Sequence, residues 1–183
     1  MLSTGEVFEL LERVENYKYR VILTTIYGAG LRLREATHLK PLDIDSKRMV
    51  IRVDQGKGMK DRYVMLSERL LVLLREYYGA FRPKGVYLFP SLHDANKPVV
   101  DTGVQRVFVR TLKKLGWKKR VSVRTLRHCF ATHLLEAGVN IRTIQEMMGH
   151  RSLETTQIYL HISVKQVGQI RSPLDILPVL KRN

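Results

Sequence analysis

The chain has 183 residues, with 32 Lys+Arg against 17 Asp+Glu and a net charge of +15. On a chain with 44% hydrophobic residues, that charge belongs to a folded body rather than a disordered tail, and it points to a polyanionic partner, nucleic acid first. The single cysteine, Cys129, excludes an intrachain disulfide framework and a Cys-rich zinc module, and no apolar run approaches the ~20 residues of a membrane span. A reducing, cytoplasmic setting with no membrane partner is the expectation.

Most of the sequence reads as helix. Ser3 with Glu6 three residues on makes a capping-box pattern ahead of Val7, Leu10, Leu11 and Val14. Residues 19–27 are largely apolar and predict a buried helix, ended by Gly28 and Gly30. A short helix is expected over 33–39. Residues 49–54 and 61–66 are rich in Val, Ile, Tyr and Met and flank Gly-Lys-Gly-Met-Lys, which predicts an antiparallel hairpin with a glycine-bearing loop. Ser67 then caps a segment with Leu70, Leu71, Leu74 and Tyr77 at helical spacing. Val104, Val107, Phe108, Thr111, Leu112 and Leu115 form the cleanest amphipathic repeat. Three further helices are expected: 125–136, closed by Gly138; 141–148, capped by Asn140; and 153–159, capped by Ser152. The fold class is therefore α+β, mainly helical with a small antiparallel sheet. One domain spans 1–172, and 173–183, broken by Pro173 and Pro178, read as a C-terminal tail.

Between Asp101 and Glu136 there is no carboxylate, yet nine bases occur, including Arg106, Arg110, Lys118, Lys119, Arg124 and Arg127. An ordinary solvated face mixes both signs, so the missing counter-charge favours a groove for a phosphate backbone. Lys118 and Lys119, with Lys60 and Arg62 beside the glycine loop, are candidate DNA contacts. Gly56-Lys57-Gly58 lacks the spacing and the Lys-Ser/Thr ending of a P-loop. His128 and His133 are five apart, which leaves them ~140° from each other on a helix and unable to share an ion. No Asp/Glu cluster suggests a two-metal nuclease. Neither metal nor cofactor is expected.

What remains is a set of strong phosphate ligands at element ends. Arg32 follows Gly28-Ala29-Gly30, and Glu35 lies one helical turn on, able to orient it. Arg127 lies at the start of a predicted helix, His150 follows Gly149 at a helix end, and Tyr159 comes nine residues later. Taken singly, each has an ordinary reading as a surface ion-pair partner, a helix cap or a core residue. Their order carries the weight. Gly30-Leu31-Arg32-Leu33-Arg34-Glu35, Gly56-Lys57-Gly58-Met59-Lys60-Asp61-Arg62, Thr125-Leu126-Arg127-His128-Cys129-Phe130-Ala131-Thr132-His133, and Met148-Gly149-His150 followed by Tyr159, together resemble the tyrosine site-specific recombinases, which include phage integrases and Xer-type recombinases.

The resemblance implies a catalytic domain that breaks and rejoins double-stranded DNA through a covalent 3′-phosphotyrosine intermediate, without metal or ATP. On that basis Tyr159 is the nucleophile, Arg32 and Arg127 hold the scissile phosphate, His150 hydrogen-bonds it, and Lys57 protonates the leaving 5′ oxygen. Physical chemistry supports these roles: two guanidinium forks suit charge growing on two non-bridging oxygens, and adjacent cations favour the phenolate. The family usually has His where this chain has Arg124. Arginine stays protonated, so Arg124 is expected to be a third phosphate clamp, with water or His150 taking the tyrosine proton.

Family members generally carry an N-terminal helical domain that grips the opposite face of the duplex, and this chain starts about where the catalytic domain would. Weak, salt-sensitive DNA binding with little sequence discrimination is therefore expected. A homo-oligomer on DNA is also expected, through a C-terminal segment apolar enough to dock on a neighbouring subunit or to pack on its own domain. Two other readings compete. Residues 140–153 also fit a helix-turn-helix of a non-catalytic DNA-binding regulator, and charge alone would suit an RNA-binding protein, although no aromatic-and-basic strand motif is present.

Overall fold

The longest buried run of the sequence sits at the centre of the structure. In this computed structural model, which describes residues 1–54, 61–149 and 170–178, helix α2 (Tyr17–Ala29) is buried at every position from Arg20 to Ala29. A helix buried on all sides needs neighbours on all sides. They are α1 (Thr4–Arg13), α3 (Leu33–Thr37), α4 (Glu68–Phe81), α5 (Asp101–Lys114) and α6 (Val123–Glu136), each packed against it. These neighbours are amphipathic: α1 buries Val7, Leu10 and Leu11, and α5 buries Val104, Phe108, Thr111 and Leu112. The expected box starts α1, with Ser3 N donating to Glu6 Oε2 at 3.0 Å and Glu6 N to Ser3 Oγ at 3.2 Å.

The expected hairpin is β2 (Val50–Val53) paired with β3 (Arg62–Met65), with Val50 opposite Met65 and Val53 opposite Arg62. A two-residue strand, β1 (Ile44–Asp45), adds to its free edge and completes a three-stranded antiparallel sheet. The hairpin loop, residues 55–60, and the expected helix over 153–159 lie outside the described residues. Helix α7 (Ile141–Met148) packs on α6 and β3 and begins at Asn140, whose side chain accepts from Arg142 N at 2.8 Å.

One expectation is corrected. Gly28 does not end α2 but lies inside it, because the helix is approached there by the chain's end: a Cβ on Gly28 would meet Leu174 Cδ2 at 2.8 Å. Gly30 is the terminator, left-handed at φ 63°, and a Cβ there would strike the Phe130 ring. The described part of the C-terminal segment packs on its own domain, one of its two expected placements. Pro173–Ile176 forms a 3₁₀ turn that buries Leu174 and Leu177 against α2 and α4; Ser172 Oγ donates to Gly28 O at 2.7 Å, and Arg69 donates to the carbonyls of Leu174 and Leu177.

Candidate active site

Helix α7 ends in a left-handed Gly149 at φ 61°. The last carbonyls of a helix have no intrahelical partner and carry the negative end of its dipole, so they suit cationic donors. Here three successive carbonyls each receive an arginine. Arg62 Nε donates to Met147 O at 2.8 Å, Arg127 Nη2 donates to Met148 O, and Arg32 Nη2 donates to Gly149 O at 3.2 Å. The second helix end does the same: Arg127 Nη1 donates at 2.6 Å to the carbonyl of Gly30, which caps α2. Two left-handed glycines thus turn carbonyls toward one cluster of guanidinium groups.

Glu35 sits at the middle of that cluster. Its Oε1 accepts from Arg32 Nη1 at 2.8 Å and Arg62 Nη1 at 2.9 Å; its Oε2 accepts from the Arg32 backbone N and from Arg62 Nη2, both at 2.7 Å. Arg127 Nη1 lies 3.6 Å from Oε2. The Arg32 N bond also closes the first turn of α3, so the carboxylate that starts the helix is the one that orients the arginine. Burial alone would raise the Glu35 carboxyl, but the hydrogen bonds and charge of Arg62, helped by Arg32, outweigh it and hold its pKa at about 2. Burial first, and then the Arg32 charge, bring Arg127 down to about 10, against the opposing pull of Glu35. Arg127 is therefore still a cation at neutral pH.

Three guanidinium groups around one carboxylate leave an excess of positive charge, and the geometry aims it at solvent. Arg32 is 46% exposed, whereas Arg62 and Arg127 are 8% and 6%. Arg32, Arg34, Gln105, Arg124, Arg127 and His128 line a cleft of about 840 Å³ between α3, α5 and α6. Arg32 and Arg34 also line a smaller cleft of about 470 Å³, with His38, Lys40, Arg52 and Tyr87. Among the described residues no group of three His, Cys, Asp or Glu side chains is placed to hold a metal.

Arg32, Arg127 and Arg124 are thus brought to one cleft, and Arg124 stands exposed on the first turn of α6, where its charge also lowers Arg127. Lys57, Lys60, His150 and Tyr159 lie outside the described residues. Lys118 is exposed, and Lys119 is exposed and paired with Glu6. Arg62 requires a correction. Expected among the DNA contacts, it is buried and committed to Glu35 and Met147 because its β3 position points inward. The backbone acceptors of Gly30, Met147, Met148 and Gly149 were not foreseen, although two glycines at predicted helix ends were their visible signal.

Residues 1–166 match the phage integrase family. The chain belongs to that family. A Sinorhizobium fredii protein that bears an integrase/recombinase name, y4eF, is 48% identical over 178 residues, which is 97% of this chain and 70% of that protein. Among solved structures, the XerA recombinase superposes with a TM-score of 0.74 at 32% identity, covering 82% of this chain and 55% of XerA. XerH, solved bound to its difH substrate before cleavage, gives 0.70 at 25% identity over 82% of this chain and 47% of XerH. The chain therefore spans about half the length of these solved structures. The helical bundle with its three-stranded sheet is the tyrosine recombinase catalytic-domain fold. No described helix is long and apolar enough to cross a membrane.

Proposed function

We propose that this chain cleaves and rejoins DNA strands in site-specific recombination, with Tyr159 as the nucleophile. The observation that carries the reading is the arginine cluster at the end of α7. It holds more cations than one carboxylate neutralises, it opens on a cleft, and His150 and Tyr159 follow it in the chain. Buried, fixed donors of this kind are useful where negative charge develops in a transition state, because they need no reorganisation when the reaction occurs.

The Tyr159 oxygen attacks the phosphorus, the new bond joins phosphorus to the phenol, and the bond to the 5′ oxygen breaks. Lys57 supplies the proton that the 5′ oxygen takes up, while water or His150 accepts the tyrosine proton. Arg32 and Arg127 neutralise the two non-bridging oxygens, and Arg124 adds a third clamp from the rim of the same cleft. The phosphotyrosine link stores the bond, so the reverse attack by a 5′ hydroxyl reseals the strand without ATP, and no step calls on a metal. Exchange between two duplexes requires more than one active centre, so double-stranded DNA and further copies of the chain are the partners, and the cytoplasm is the setting. The regulator reading leaves the arginine cluster without a role.

Incubation of the protein with nicked duplex DNA in chelator tests the proposal. A covalent protein–DNA adduct is expected, and Tyr159→Phe should abolish it while DNA binding persists. A band shift with no adduct from the native protein would favour the regulator.

A further inference from the structure

We infer that Arg62 is a positioning residue of the strand-transfer reaction, acting through Glu35 to set Arg32 and to keep both phosphate-binding arginines available. The inference rests on the function proposed above. Arg62 contacts no solvent-facing ligand: at 8% exposure its side chain lies behind the site, and its named partners are Glu35 and the Met147 carbonyl.

Two consequences follow from that placement. The first is geometric. Arg62 is a planar fork on a planar carboxylate, at 2.9 and 2.7 Å, and its Nε ties the same plane to the end of α7 at 2.8 Å. Both Glu35 oxygens are shared, each accepting once from Arg62 and once from Arg32. The rotation of the carboxylate is therefore fixed by Arg62, and the Arg32 guanidinium takes its orientation from that carboxylate. The Met147 carbonyl adjoins the Met148 and Gly149 carbonyls that hold Arg127 and Arg32, so Arg62 also ties down the supporting helix end.

The second consequence is electrostatic. Glu35 carries a full negative charge beside two arginines whose task is to bind another anion. Without Arg62 that charge competes with the phosphate for Arg32, and for Arg127 at 3.6 Å. With Arg62 in place it is already satisfied. Lysine retains the charge but has neither the fork nor the Nε donor, so Arg62→Lys separates geometry from charge.

The test measures single-turnover adduct formation on a nicked suicide duplex at saturating DNA, the Kd for the same duplex, and thermal melting, for native protein, Arg62→Lys, Glu35→Gln and the double variant. Displacement of a reacting group by about 1 Å costs ~10²-fold in rate, so Arg62→Lys should lower the adduct rate by about that factor while Kd changes less than ~3-fold. In the Glu35→Gln background no carboxylate remains to be oriented and only the Met147 tie is left to lose, so Arg62→Lys should cost far less there than in native protein. An Arg62→Lys rate equal to native, a loss explained by the unfolded fraction, or penalties that multiply in the double variant would overturn the inference. A native protein that forms no adduct would overturn strand cleavage itself, which keeps the two failures apart.

Discussion

The molecule uses arginine in two contrasting ways. At the end of α7, Arg62 and Arg127 are buried, every guanidinium has fixed partners, and two helix C-termini with one carboxylate set their positions. After Asp101, along the rest of α5 and the segment that follows, Arg106, Arg110, Lys118 and Arg120 stand exposed on a stretch with no carboxylate of its own. The first arrangement fixes a geometry, and the second supplies a field. A desolvated cation acts over ångströms and tolerates no displacement, whereas an exposed one acts through counterion release and is largely interchangeable with its neighbours.

The contrast is sharpest in an alanine comparison. Arg127→Ala removes a proposed phosphate ligand and leaves the Gly30 and Met148 carbonyls without their donor; adduct formation at saturating DNA should fall ~10²–10³-fold or more. Arg124→Ala, from the exposed rim of the same cleft, removes one charge-assisted hydrogen bond and should cost about tenfold. Arg110→Ala should leave the rate at saturation unchanged and weaken binding alone. A rate loss at Arg110 as large as that at Arg127 would erase the distinction between the two regions.

Acid should attack the first region before the second. Because the Glu35 carboxyl is held at about 2 in the folded protein against an ordinary 4.5, its stabilisation is complete above 4.5 and is lost as pH falls from there toward 2. The difference amounts to about 3 kcal/mol at neutral pH. Denaturant unfolding followed from pH 7 to pH 3 should show a steeper loss in native protein than in Glu35→Gln, which has no carboxyl to protonate. Parallel curves would mean that Glu35 is not held low by its arginines.

Gly30 links the buried cluster to the core. Its φ of 63° disfavours a side chain, and a Cβ would strike Phe130, so Gly30→Ala should destabilise by about 2–4 kcal/mol. It should also slow adduct formation in the fraction that stays folded, because the displaced carbonyl is the acceptor of Arg127 Nη1. Melting together with rate per folded molecule separates the two effects.

The sequence showed what local chemistry decides. The Ser3–Glu6 box, the α5 repeat and the Ser67 and Asn140 caps depend on residues within a turn of each other, and they appear where expected. Gly28 was misread because its reason, Leu174, arrives from the far end of the chain, with Ser172 bonding 144 residues back to the same turn. Strand β1 is two residues long, too short for any alternation to register. The residues of the cluster were legible as types in order, and Glu35 as the partner of Arg32. Arg62 was not, because an arginine beside a basic loop looks like a surface contact until tertiary structure brings Glu35, 27 residues away, against it.

The smallest expected effect probes the exposed region. Lys118 and Lys119 are adjacent and alike in sequence, but Lys119 is paired with Glu6 while Lys118 is exposed beside it. Neutralising a cation that meets a DNA phosphate lowers the slope of log Kd against log salt by about 0.9. Lys118→Gln should show close to that full change if the segment lies along the backbone. Lys119→Gln should show less, since Glu6 already satisfies part of the charge that a phosphate would otherwise claim. Neither substitution should alter the adduct rate at saturating DNA, because neither residue touches the α7 cluster. Equal slopes for the two variants would mean that the Glu6 pair opens without penalty on DNA, making the whole exposed stretch a uniform field; unequal slopes would show that even there a single carboxylate decides which cations remain available to DNA.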